Sequence, residues 1–201
     1  MHTRSTGGEY RRPATGIGEL LAFGYIRESL ISAGLDNPLS GVTMASAFPA
    51  SFLTGNIISL GGTQYNEISK ILLSQCDQAF IVDNATPKRI LDVRNGSDFV
   101  PALSQGKIVI DYGVLTKVKN PFNPDSVAFV LRGSHTYGTA ACAKVLTPKL
   151  IKEVMRMERQ LNVDCWQAVI RARVVEHDVF PEVVSFSPIS VRPIDPSSLP
   201  S

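Results

Sequence analysis

A short apolar run that stops at glycine and gives way to a helical pattern occurs twice in this 201-residue chain, and no other feature constrains its fold as strongly. The first run is Asn56-Ile57-Ile58-Ser59-Leu60, followed by Gly61-Gly62 and by Ile68, Ile71 and Leu72, whose spacing predicts a helix over 66–74. The second is Val127-Ala128-Phe129-Val130-Leu131, followed by Gly133-Ser134-His135-Thr136-Tyr137-Gly138-Thr139 and a small-residue helix over 140–146. A continuous apolar strand, a glycine turn and a helix read as the opening of a parallel βαβ unit. The expected fold is therefore α/β, a Rossmann-like three-layer sandwich with a mostly parallel sheet. Alternation at Trp166, Ala168, Ile170, Ala172 and Val174, followed by the run over 183–191, adds a C-terminal antiparallel hairpin turned by HDVFPE.

Other elements follow from punctuation. A first helix is predicted over 17–33, with Gly34 as its left-handed stop. Two short strands over 79–83 and 88–93 are joined by Asn84-Ala85-Thr86-Pro87. The stretch KIVIDYGVLTKV, 107–118, is one long strand or a strand pair interrupted at Asp111-Tyr112-Gly113, and NPFNPD supplies the turn after it. Thr147-Pro148 reads as an N-cap followed by proline at the first helical position of a third helix.

Ligands in open α/β sheets bind beyond the carboxyl ends of the strands, where glycine lets backbone amides come close and a helix N-terminus offers partial positive charge. If the two strands are neighbours, both glycine turns face one crevice; the other reading is that the glycines only make tight turns. Around that crevice lie Asn66 and Glu67, then Asp111 and Tyr112, then His135. An aspartate is disfavoured inside a strand, so Asp111 either faces a ligand from a strand end or sits on a bulge bonded to backbone amides. His135, beside a helix N-terminus, is either a neutral donor or base near pH 7 or a hydrogen-bonded turn residue.

Several chemistries are excluded by what is missing. Gly133 and Gly138 have P-loop spacing, but Thr139 stands where the lysine belongs, which argues against nucleoside triphosphate hydrolysis. There is no GxGxxG, no GxSxG and no metal-ligand spacing, and Cys142 sits among alanines as a core residue. The net charge of +2 comes from Arg4, Arg11 and Arg12 against Glu9, so the rest of the chain is neutral and lacks the basic face of a nucleic-acid binder. No apolar run is long enough to span a bilayer, and the start of the chain lacks the apolar core of a secretory signal. Cys76, Cys142 and Cys165 are odd in number and widely spaced, which fits a reducing, cytoplasmic setting. Mass and apolar content suit one domain over 16–194, between a basic tail at 1–15 and a second tail at 195–201.

The stretch from Asn56 to Leu146, through NIISLGGTQYNE, DYGVL, NPFNP and GSHTYGTAACAKVL, resembles Rossmann-like domains of prokaryotic conflict and signalling systems. In broad plan it is similar to SLOG domains, TIR-like domains and nucleoside deoxyribosyltransferases. The resemblance implies a ligand or substrate derived from NAD or a nucleotide, and in some members cleavage of an N-glycosidic bond by a carboxylate. Carried over, it puts Gly61, Gly62, Thr63 and Asn66 in a first ligand loop. It puts Gly133, Ser134, His135, Thr136, Tyr137, Gly138 and Thr139 in a second, with Glu67 or Asp111 as the carboxylate. Three readings follow: a nucleotide-binding domain that hydrolyses a glycosidic bond, a ligand sensor or adaptor with the same crevice and no chemistry, and a structural module that forms homo-oligomers through its C-terminal strands.

Overall fold

The computed structural model describes residues 16–35, 41–43, 45–148, 151–176 and 181–195. The segment 1–15, all of the terminal seven residues but Asp195, and His177 to Phe180 of the expected hairpin loop lie outside the described residues.

The sheet is organised by its longest hairpin. Strand β6 (Lys107–Asn120) is linked to β7 (Asn123–Gly133) by Pro121 and Phe122 alone. So short a link cannot make a crossover, and the two strands pair antiparallel from Gly113↔Gly133 to Asn120↔Asn123. Strand β8 (Trp166–Glu176) pairs antiparallel with the other edge of β6, and β9 (Pro181–Pro193) pairs antiparallel with β8. Strand β1 (Ile57–Leu60) alone runs parallel to its neighbour, in register Ile57↔Ala128 to Leu60↔Leu131 with β7. The order is β1-β7-β6-β8-β9, and β5 (Ala102–Ser104) pairs with β6 off this path.

The mostly parallel sheet expected of a Rossmann-like chain is thus corrected: among the described strands one pair is parallel and the others are antiparallel. After β1 the helix α2 (Glu67–Ser74) does not lead to the next strand of the same sheet. It leads to β2 (Phe80–Asp83), β3 (Arg89–Asp92) and β4 (Asp98–Phe99), which form a separate three-stranded antiparallel sheet. The parallel partner of β1 is reached only after β6. Strand β6 is also continuous through Asp111, with no interruption at 111–113. The C-terminal antiparallel hairpin is present as β8 and β9.

Side-chain alternation gives the main sheet two buried faces. Leu115, Leu131, Ala168, Ile170 and Ala172 face the helices α3 (Thr136–Val145) and α1 (Ile17–Ser32). The small residues Ala140, Ala141, Cys142 and Ala143 are fully buried, so α3 lies close against the strands, and Ala22 and Ile26 of α1 join the same cluster. Helix α1 ends where the sequence predicts, at Gly34 with φ +88°, and the Gly34 amide donates to the Ile31 carbonyl at 2.9 Å. Helix α4 spans Ile151–Leu161 and adds Val154; Pro148, expected at its first position, lies in a turn before it. On the opposite face Val114, Val118, Ala128, Val130 and Val169 pack on Leu72 and Leu73 of α2 and on Phe80 and Ile90 of the small sheet.

The small sheet is tied to the large one by bonds to the Phe80 backbone and by Arg192 of β9, whose Nη2 donates to Asp92 Oδ2 of β3 at 3.2 Å. The fully buried Gln167 on β8 accepts the Phe80 amide at 2.8 Å through Oε1 and donates to Thr116 Oγ1 at 3.1 Å through Nε2. Arg132 on β7 donates to the Phe80 carbonyl at 2.8 Å and to Gln78 Oε1 at 2.5 Å. Replacing Gln167→Leu keeps the volume and leaves the buried Phe80 amide without an acceptor, a loss of about 1–3 kcal/mol. Urea denaturation should show this as a lower midpoint, and a midpoint equal to wild type would mean that the Phe80 amide finds another acceptor.

Candidate functional site

Because β1 and β7 are parallel neighbours, the two glycine turns emerge at the same end of the sheet, and the Gly61 amide donates to the Leu131 carbonyl at 2.8 Å. The first turn depends on Gly61, whose φ of +96° lies in the left-handed region. Asn66 closes it. Its Oδ1 accepts the Ser69 amide at 3.0 Å as the N-cap of α2, and its Nδ2 donates to the Leu60 carbonyl at 2.8 Å. Gly62 accepts the amides of Tyr65 and Asn66 through its carbonyl, and Gly62 and Thr63 are half-buried. Glu67 is exposed on α2, 3.7 Å from Lys70.

The second turn is built around a carboxylate. Asp111 is completely buried on the face of β6 that meets α3. Its Oδ1 accepts the amides of Tyr112 at 2.8 Å and His135 at 3.2 Å, and its Oδ2 accepts the Gly138 amide at 2.6 Å. His135 is the N-cap position of α3 and its own side chain forms no cap. Asp111 therefore caps α3 from the neighbouring strand, satisfying helix-terminal amides that would otherwise be orphaned. Of the two settings open to Asp111, this is the backbone-amide one, within a regular strand instead of a bulge. Burial pushes its carboxyl above the ordinary range, against the opposing pull of His135 and of the three donated amides.

The glycines of this turn admit protein backbone. A Cβ on Gly138 would overlap the Tyr112 carbonyl oxygen, and one on Gly133 would overlap the His135 carbonyl and lie 2.7 Å from the Thr139 amide nitrogen. Thr136 Oγ1 accepts the Gly18 amide, which joins the N-termini of α1 and α3, and Lys144 lies 4.8 Å from the Tyr25 ring centroid further along the same pair. Ser134 and Thr139 are buried, and Tyr137 is half-buried against the helical core. The neighbouring Cys142 is a core thiol pushed up by burial.

Glu67 and Asp111, the two candidate carboxylates, are not brought together. Glu67 is on the layer that covers one face of the sheet, and Asp111 is sealed on the other face. Among the described residues no three His, Cys, Asp or Glu side chains are placed to hold a metal ion. Polar atoms without partners do remain at this end of the sheet. Ser134 Oγ and His135 Nδ1 are buried and unpartnered among the described residues. So is Glu19 Oε2, whose carboxylate reaches to 3.5 Å from where a Gly61 Cβ would stand. In the sequence Glu19 is only an acid in the first turn of a helix, an ordinary place for one.

An open cleft of about 350 Å³ lies beside His135. Its other lining residues are Thr86, Pro87 and Lys88, from the turn joining β2 to β3, and Pro101 and Leu103 around β5. The first glycine turn does not line it. Lys88 is exposed and forms no ion pair among the described residues. The sequence presents Thr86 to Lys88 only as a link between two strands, so nothing local marks it. Comparison with protein-family models, with curated proteins and with solved structures finds no match for this chain.

Two substitutions separate scaffold from ligand contact here. Asp111→Asn turns an amide donor toward the amides it must accept, and should cost about 1–3 kcal/mol. Gly133→Val forces side-chain atoms into the α3 backbone and should cost at least as much. Thermal melts without any ligand should register both losses, whereas unchanged melting would show these positions free to face solvent or ligand.

Proposed function

We propose that the protein binds a nucleotide-type ligand, derived from NAD or a nucleoside phosphate, in the cleft between His135 and the Thr86–Lys88 turn. The observation that carries this reading is His135 itself: it lines the cleft at the start of α3 while its buried Nδ1 has no partner among the described residues. A buried ring nitrogen without a partner is costly in a protein that leaves it so, and a turn of the His135 ring toward the cleft would let a ligand donor or acceptor satisfy it. Lys88 brings a positive charge suited to phosphate, and Thr86 a hydroxyl. Pro87, Pro101 and Leu103 give an apolar wall against which a base can lie. The cleft volume falls in the range of small-molecule sites.

Within this reading the sensor or adaptor role is favoured over hydrolysis. Cleavage of an N-glycosidic bond needs a carboxylate beside the sugar to support an oxocarbenium-like centre. Neither Glu67, out on α2 with Lys70, nor Asp111, behind three amides, lines the cleft. The proposal places this binding in the cytoplasm of a prokaryotic conflict or signalling system, in keeping with three free cysteines.

The test is a thermal-shift screen against NAD, ADP-ribose, nucleoside phosphates and cyclic dinucleotides, followed by chromatography of each mixture. Ligand at a hundred times its dissociation constant adds about 2.7 kcal/mol of stability. His135→Ala and Lys88→Ala should remove most of that gain and leave melting without ligand close to wild type. A shift of equal size in both variants would exclude the cleft, and the absence of a shift with every ligand would overturn the reading. Product on the chromatogram would restore hydrolysis.

A further inference from the structure

The face of the main sheet that carries α2 and the small sheet is covered over only part of its length. Val114, Val118 and Val169 are buried there, and Phe99 of β4 lies against Tyr112 with ring centroids 5.8 Å apart. Past Tyr112 the same face of β6 presents Ile110 and Ile108, half-buried and outside both apolar clusters. Ile110 pairs with Arg173 of β8 on one edge and with Ala102 of β5 on the other, and Tyr112 pairs with Arg171. Directly paired residues share a face, so Arg171 and Arg173 stand on this uncovered strip, and both are exposed. Neither forms an ion pair among the described residues. Their register partners are Tyr112 and Ile110 on β6 and Ser187 and Ser185 on β9, so no acid stands opposite either one. Strand geometry puts the two arginine Cα atoms about 7 Å apart, and the single chain sets no charge against the two cations.

The strip runs into the cleft beside His135. Leu103 lines that cleft, is 62% exposed and pairs with Ile108, so the cleft wall and the arginines belong to one face of the successive strands β5, β6 and β8. From Leu103 to Arg173 is two strand spacings and two residues along β6, about 12 Å between Cα positions. A base lying against Pro101 and Leu103 would set the first phosphate of its nucleotide toward the isoleucines and the second within reach of an arginine side chain. We propose that the ligand of the cleft is a nucleoside diphosphate or a sugar ester of one, and that Arg171 and Arg173 hold its outer phosphate. The assignment rests on the cleft being a nucleotide site and narrows which nucleotides it takes. Two guanidinium forks match phosphate oxygens in pairs, and the anion supplies the counter-charge that the chain itself does not. Lys88 is left to the inner phosphate. A monophosphate ends short of the arginines and gains nothing from them.

Titration calorimetry of the full chain with matched mono- and diphosphates of adenosine, guanosine, cytidine and uridine, and with ADP-ribose, tests it. At least one diphosphate should bind about tenfold or more tighter than the monophosphate of the same base. Arg171→Gln and Arg173→Gln together should bring that diphosphate down to the affinity of its monophosphate and leave the monophosphate unchanged. Without ligand the double variant should melt at or above the wild-type temperature, since both side chains are exposed and their repulsion is removed. Added salt should weaken the diphosphate more steeply on wild type than on the double variant. Equal affinity for mono- and diphosphate, or a diphosphate preference that survives both substitutions, would overturn the assignment and leave the cleft as a nucleotide site. If no nucleotide binds, or if His135→Ala and Lys88→Ala leave every affinity intact, the cleft reading itself falls and the arginine assignment falls with it.

Discussion

The buried carboxylate of Asp111 holds the helical layer to the sheet. Three amides converge on it, two of them from the first turn of α3, so one side chain on β6 fixes where that helix begins. Small residues along α3 and the glycines at 113, 133 and 138 then let the helix lie against the strands. Helix α1 in turn rests on α3, joined by the Gly18 amide and Thr136 and by the Lys144–Tyr25 contact. Taking a carboxylate out of water is expensive, and burial does raise the proton affinity of Asp111. Backbone donors and a helix N-terminus offset that cost where a neutral residue could answer fewer of the amides.

The cleft beside His135 depends on this cap and on a second attachment made independently. His135 is positioned by Asp111, whereas Thr86 to Lys88 are positioned by the small sheet, whose Phe80 backbone is held by Gln167 and Arg132. Arg132 is nearly as buried as Asp111 but is answered by neutral oxygens of Gln78 and Phe80. Burial lowers its pKa to about 10, which still leaves it charged at neutral pH. An apolar residue there would lose the bond to the Phe80 carbonyl and leave the small sheet held by Gln167, by the Arg192–Asp92 pair and by apolar packing. The walls of the cleft therefore belong to two layers on opposite faces of the main sheet.

The local elements were legible because their signals are local. Gly34 stops α1, Asn66 caps α2, and the apolar runs at 57–60 and 127–131 are strands. Strand direction was not legible. A strand covered on both faces reads as a continuous apolar run whether its neighbours are parallel or antiparallel. β7 is such a strand: Leu131 faces the helices, while Ala128 and Val130 face the small sheet. Its direction toward β6 is set instead by the two residues, Pro121 and Phe122, that join them. Asp111 was visible as an anomaly in a strand, but the amides that explain it come from residues more than twenty positions later. Glu19 and Lys88 gave no signal at all, since each sits where an acid or a lysine is ordinary and acquires its neighbours only through the tertiary fold.

The outer face of α1 and the cleft lie on two sides of one rigid pair of helices. A Cβ on Gly18 would overlap the Thr136 backbone, so at this point α1 and α3 touch main chain to main chain. Thr136 directly follows His135, and the bond that anchors α1 is made one residue from the cleft. Close-packed interiors move such contacts together, not separately.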